Sequence, residues 1–412
     1  MDESIDNEKV GLVRYHRRQG ASLQLGVCVA FTLLCSGGAA TGLDPIGDLL
    51  APESTIETIS LTHIGKGNIF VVHRGDGDKI IQRFKSSTKD NVGDKIRLAG
   101  FGITSFDEIH PLLHQYDDNV LLELPNSQRL WILGRRAEEV NGDDFQLELD
   151  RKGLTETFSD NFDTFSWYAE GAVDGRHGGG TWRTHLPHGA ATSLNSRRIA
   201  TVNDLQVYVE PSFRGLGDKP LEINPFRLRT GTLEITADRL PEELRPLLWG
   251  REYTSGVITT KGTFSQMYGV FEMRARLPKG QGLWPAFWLL PANGAWPPEL
   301  DIMEVLGHDT TTLYTTWHSK ETGAYTREAT VTHVPDMSAD FHVYGLEWEK
   351  DVIKWFFDGI EIARAPTPAD MHVPMQILAN LTVGGNWPKN PDTSTPFPAV
   401  FAIDWIRAYQ RR

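Results

Sequence analysis

Phe271-Glu-Met-Arg-Ala-Arg-Leu277 (FEMRARL) reads as one half-buried β-strand. Phe271, Met273 and Ala275 fall on one side and Glu272, Arg274 and Arg276 on the other, which is the period of two of a pleated strand. The same alternation recurs in Thr232–Thr236 and in Val352–Phe357 (VIKWFF). After the second of these, Asp358-Gly359 leads into Ile360–Ala363, a hairpin signal. Short strands and frequent turns fill residues 155–412 and predict an all-β domain, a two-sheet sandwich of jelly-roll type. The stretch 190–250, with several prolines and glycines, is expected to form long loops around a cleft.

Outward from this domain the chain divides into two further parts. Arg14, Arg17 and Arg18 precede an apolar run of thirteen residues, Leu23–Cys35, and small residues follow from Ser36 to Ala40. The run is too short to span a membrane, so residues 1–42 read as an export signal and the protein as secreted. Residues 50–150 read as a small β unit whose strands (NIFVV, KIIQRF, KIRL, VLLEL, LWIL) are separated by turns such as Gly75-Asp-Gly-Asp78. Ser105–Gln115 is expected as a short helix capped by Ser105 with Glu108 three residues on. Arg151-Lys-Gly-Leu154 reads as a linker to the larger domain.

Composition narrows the function. The 412 residues are 40% hydrophobic and 23% charged, enough for a sizeable core. Acidic residues outnumber basic ones 54 to 41, a net charge of −13, which disfavours a nucleic-acid or anionic-membrane partner. Cys28 and Cys35 are the two cysteines, so no Cys-based zinc site exists in the folded domains. No Gly-x-Ser-x-Gly elbow marks a serine hydrolase. Eleven of the twelve tryptophans lie beyond residue 150, where flat apolar rings are concentrated.

The chemistry is carried by Trp296-Pro-Pro-Glu299-Leu-Asp301-Ile-Met-Glu304-Val-Leu-Gly307. Glu299 and Asp301 share a face of a regular strand, whereas Glu304, five residues from Glu299, falls on the other. One inserted residue, a β-bulge near Met303, would bring Glu304 round to join them. Three carboxylates on one face repel and desolvate one another, which separates their pKa values. Paired carboxyls of this kind serve a glycosidase, one attacking and the other donating a proton to the leaving oxygen. Acids alternating on an exposed strand would look the same in isolation, so the surrounding motifs decide between the two.

Those motifs are Tyr253-Thr-Ser-Gly256; Tyr268-Gly-Val-Phe-Glu272-Met-Arg274-Ala-Arg276-Leu-Pro278; Gly282-Leu-Trp284-Pro-Ala-Phe-Trp288-Leu-Leu-Pro291; Trp317-His318; Asn380-Leu-Thr-Val-Gly-Gly-Asn386-Trp387; and Ile403-Asp404-Trp405-Ile-Arg407-Ala-Tyr409. In this order they resemble glycoside hydrolase family 16, the laminarinase/lichenase-like family, over 155–412. Within it, the chain is most similar to bacterial endo-β-glycanases of exopolysaccharide. The resemblance implies a β-jelly roll, an endo cut and retention of anomeric configuration, with no cofactor for catalysis. It implies Glu299 as nucleophile, Glu304 as general acid/base and Asp301 between them, the two catalytic carboxyls about 5–5.5 Å apart. Trp296 matches the ring beneath the −1 sugar, and Trp284 and Trp288 share strand parity, so at least one of these two candidate substrate-binding rings is expected to line the cleft while the other is core. Glu272 and Arg274 match residues binding sugar hydroxyls. His318 is expected near the acid/base, and Asn386 and Trp387 in a cleft-lining loop. Asp404, with the carbonyl of Gly231, matches a structural calcium site. Residues 50–150 resemble the terminal module of RTX β-rolls, where Gly/Asp turns stack strands and bind calcium. These resemblances imply a monomeric hydrolase acting on β-glucan or exopolysaccharide. A transglycosylase on the same polymers and a non-catalytic carbohydrate-binding matrix protein are the competing readings.

Overall fold

The computed structural model describes residues 60–62, 67–87, 93–168 and 180–412, so the expected export signal lies outside the described residues. The described residues belong to one compact unit. Its centre is a sandwich of two sheets. The inner sheet has six strands in the order Val257–Thr259, Met375–Val383, Leu283–Pro291, Glu299–Glu304, Thr312–Ser319 and Thr326–His333, all antiparallel. The outer sheet has ten, with Gly269–Arg276 between Ala399–Arg411 and His342–Trp348. It continues through Val352–Phe357 to an edge strand, Ile360–Pro366.

The core lies where the two sheets face each other. Phe271, Met273 and Ala275 of the outer sheet are buried with Phe287, Leu289, Leu300 and Ile302 of the inner one. Alternation in FEMRARL therefore marks the true inward face. The Asp358-Gly359 hairpin is also present, with φ of 50° and 78°, the positive pair that a tight two-residue hairpin turn needs.

The preceding stretch builds two small sheets over its own core of Phe70, Val72, Ile81, Phe84, Ile96, Leu98 and Phe145. Asn68–His73, Lys95–Ala99 and Phe145–Gln146 pair in parallel, as do Lys79–Ile81 and Gln128–Leu133. In the Gly75–Asp78 turn, Asp78 takes the Arg129 guanidinium at 2.6 and 2.8 Å, and Asp76 accepts the His73 backbone N–H at 3.1 Å. The helix expected over Ser105–Gln115 is shorter. It covers Phe106–Ile109, passes into a 3₁₀ turn at His110–Leu112 and becomes a strand at Leu113–Tyr116. Pro111 lacks the N–H that would continue the helix. Ser105 directs its hydroxyl to Glu108 at 3.2 Å and does not cap the backbone.

This stretch closes the edge of the outer sheet. Glu361 N–H donates to Leu147 O and Leu149 N–H to Gly359 O, both at 2.9 Å, and Gln146 Nε2 donates to Ile362 O at 3.1 Å. The expected linker is tied down as well. Arg151 grips buried Glu272 at 2.6 and 2.9 Å, and Leu154–Asp160 pairs with Ala399–Arg411.

The stretch 190–250 is not all loop as expected: Gln206–Tyr208, Phe226–Arg229 and Thr232–Arg239 are strands of the outer sheet, and the loops between and around them form an insertion with a small core around Val207, Val209, Phe213, Leu240 and Leu248. Part of this insertion lies on the open face of the inner sheet. There Leu186, Ile199 and Tyr208 cover Ala286, Trp288, Leu290 and Leu378.

Candidate active site

The strand Glu299–Glu304 alternates until its middle. Leu300, Ile302, Met303 and Val305 are all in the core, so two neighbours, Ile302 and Met303, point inward in succession. Register shows the extra residue: Met303 and Asp301 face Phe287 and Trp288 on one side, while Asp301 and Glu304 face Thr316 and Tyr314 on the other. This is a β-bulge. It brings Glu299, Asp301 and Glu304 to the open face of the inner sheet, as the spacing predicts.

Each acid has different partners. Glu299 accepts the indole N–H of Trp296. Asp301 is buried and meets His318 Nε2 at 2.9 Å, and Tyr325 OH lies 2.6 Å from His318 Nδ1. Glu304 accepts from Trp284 Nε1 at 3.2 Å and more weakly from Thr316 Oγ1 at 3.5 Å. Burial, and then the negative charge of Asp301, push the carboxyls of both Glu299 and Glu304 well above the ordinary range. The Trp296 N–H opposes this at Glu299. Trp284, Thr316 and the charge of Arg327 oppose it at Glu304.

Aromatic rings wall the acids. Trp296 is 54% exposed and stacks on Tyr325 with centroids 5.5 Å apart. Trp387 is 37% exposed and meets Trp284 and Tyr314 edge-on at 5.2 and 4.9 Å. The loop before Trp387 needs glycine, because a Cβ on Gly385 (φ 120°) would stand 2.7 Å from Val202 O. Asn386 turns toward the insertion and accepts from Asn203 Nδ2 at 3.1 Å.

The structure thus gathers Glu299, Asp301, Glu304, Trp284, Trp296, His318 and Trp387. His318 bonds Asp301, where Glu304 was the expected neighbour. Trp288 shares the open face but is covered by Leu186 and Tyr208 of the insertion and gives its N–H to Asn380 Oδ1 at 2.7 Å, so of the two rings Trp284, which bonds Glu304, is the one at the carboxyls. Glu272 and Arg274 are also misplaced by the sequence reading. Their strand belongs to the outer sheet, whose polar face points away from the catalytic carboxyls. Glu272 is held by Arg151, and Arg274 pairs with Asp404 at 2.5 Å. Sequence reasoning missed Tyr314 and Tyr325. Tyr314 was within reach, since Tyr314, Thr316 and His318 share strand parity, whereas Tyr325 sits in a loop with no periodic signal. Among the described residues, Glu299, Asp301 and His318 form a set that could hold a metal ion, with ligand atoms within 4.8 Å of one another.

Residues 224–407 match the family model described as glycosyl hydrolases family 16. An endo-1,3-1,4-beta-glycanase of Rhizobium meliloti is 39% identical over 343 residues, covering 82% of this chain and 68% of that protein. The chain belongs to glycosyl hydrolases family 16. It is a glycosidase. A second endo-1,3-1,4-beta-glycanase of Rhizobium meliloti is 40% identical over 326 residues, 78% of the glycosidase described here and 66% of the relative. This family 16 chain therefore spans about two thirds of the length of both relatives. Matches of that extent are longer than 155–412 and reach into the preceding β unit. The X-ray structure of an endo-beta-1,3-glucanase from Pyrococcus furiosus superimposes with a TM-score of 0.51 at 31% identity, over 64% of this chain and 97% of that one. The jelly-roll sandwich expected from the sequence is the fold of this family 16 glycosidase.

Proposed function

We propose that this glycosidase is a secreted, endo-acting hydrolase of β-1,3 or β-1,4 linkages in a glucan-type or bacterial exopolysaccharide, working with retention through a glycosyl-enzyme. The observation that carries the reading is the single face shared by Glu299, Asp301 and Glu304, with different partners on the two glutamates. Glu299, its anion favoured by the Trp296 N–H, attacks the anomeric carbon. Glu304, whose carboxyl is pushed well above the ordinary range by burial and then by the charge of Asp301, donates to the leaving oxygen and then takes a proton from the incoming water. Asp301, anchored by His318, adds its charge to the burial that raises Glu304. The exposed faces of Trp296 and Trp387 suit the apolar C–H faces of β-linked sugars. The names of the two Rhizobium meliloti relatives and of the Pyrococcus furiosus neighbour support the choice of linkages.

The test is proton NMR of laminarin and lichenan digests in the first minutes, with sizing of the products. The β-anomer should form first, among oligosaccharides of several lengths. An initial α-anomer would exclude retention, and release of monosaccharide alone would exclude an endo cut.

A calcium ion belongs to the same reading as an element of stability. A Cβ built on Gly231 would stand 3.9 Å from an Asp163 carboxylate oxygen and 4.0 Å from the Asn161 carbonyl, and oxygen groups of this kind suit calcium. Arg274 competes for Asp404. Chelation should lower the melting temperature, and an unchanged melting curve would remove the ion from the account.

A further inference from the structure

We propose that Tyr325 is a positioning residue that fixes the hydrogen-bond arms of Glu299 and Asp301 together. The proposal rests on the catalytic reading above. One arm is the Trp296 indole on Glu299, and the other is the His318 imidazole on Asp301. Tyr325 touches both. Its ring stacks on Trp296 at 5.5 Å and on His318 at 5.9 Å, each with planes 27° apart. Its hydroxyl lies 2.6 Å from His318 Nδ1.

The tautomer follows from the two imidazole contacts. Asp301 as a carboxylate can only accept from Nε2, and in a neutral imidazole this leaves Nδ1 as the acceptor for the Tyr325 hydroxyl. The imidazole proton then sits on Nε2 and is donated to Asp301. A hydrogen bond donated to a carboxylate favours its charged form. That charge adds to burial in raising the Glu304 carboxyl. The groups facing this cluster are Glu299, Asp301 and Glu304 on the catalytic strand and Arg327 opposite His318 on the edge strand. Lys320 stands 6.0 Å from the Trp296 ring, and Asp370 accepts from Ser319 and from the Lys320 backbone. None of these replaces the phenol at Nδ1.

The experiment is steady-state kinetics across pH on a soluble β-glucan for wild type, Tyr325→Phe, Tyr325→Leu and Glu299→Gln, with melting curves for all four. Tyr325→Phe keeps the ring and removes the hydroxyl. It should lower kcat by about 10- to 100-fold, the scale of one hydrogen bond to a charged group. It should also move the alkaline limb of kcat/KM to lower pH and leave KM near wild type. Tyr325→Leu should in addition raise KM, because Trp296 loses its stacking partner. Wild-type kcat and pH profile in a folded Tyr325→Phe would overturn the proposal, as would lost kcat with an unshifted alkaline limb. Substantial activity in Glu299→Gln would instead overturn the nucleophile assignment, a result independent of the Tyr325 profile.

Discussion

Glu304 sits in a tight place for an acid: half-buried, beside a negative Asp301, and held by the weak donors Trp284 and Thr316. Glu304→Gln and Glu299→Gln preserve shape and should each cut turnover of a natural polymer by about 10²–10⁴-fold or more, measured as reducing ends released. The same substitutions should affect stability in the opposite sense. A carboxyl whose folded pKa is raised contributes fully below its unfolded pKa and loses that contribution as pH rises through the folded value. Wild type and Glu304→Gln should therefore melt alike in acid. At neutral pH the glutamine variant should melt higher, with the gap opening above the ordinary carboxylate range. A gap that is constant with pH would show that Glu304 is not strained by its charge. The three acids were legible in the sequence because their spacing violates simple alternation in a way a bulge repairs. Glu272 and Arg274 were not, because a sandwich has two polar faces and residue parity does not say which of them carries the cleft. Which of Trp284 and Trp288 lines the cleft was not legible for a related reason: both have the correct parity, but the loops that bury Trp288 carry no periodic code.

At the scale of elements, the bulge can be tested by subtraction. Ile302 and Met303 both point into the core, so one of them suffices to keep the alternation on either side. Deleting Met303 should leave Glu304 on the open face and some activity intact, with a loss of about 2–5 kcal/mol from the emptied core site. Deleting Ile302 and Met303 together would place Glu304 directly after Asp301 and turn it inward. That chain should lose all turnover, and a double deletion with activity equal to the single one would refute the register argument. Strands were the legible elements, since period two is strong in FEMRARL and VIKWFF and the Asp358-Gly359 turn is explicit. The expected Ser105–Gln115 helix failed at Pro111, where the cap signal was stronger than the residues behind it.

Taken whole, the molecule does not divide where its sequence changes character. Residues 146–149 run along the edge strand Ile360–Pro366, and Arg151 neutralises Glu272, which is 1% exposed. A chain beginning at residue 155 should keep its carboxyls in order but melt lower than the full protein. Each kcal/mol lost would appear as about 2–4 °C. An equal melting temperature would show that the N-terminal stretch only decorates the sandwich. The same edge has a consequence beyond stability. An uncovered outer strand offers a row of free backbone donors and acceptors, and its nearest complement is another copy of itself. The truncated chain should therefore self-associate with rising concentration, visible as growing light scattering, while the intact one does not by this route. In the inner sheet Thr326–His333 is also an edge, and there the exposed side chains of Arg327 and Glu328 give the protection that residues 146–149 give as backbone. A polysaccharide-degrading protein would then owe its dispersal to a short piece of chain remote from its chemistry.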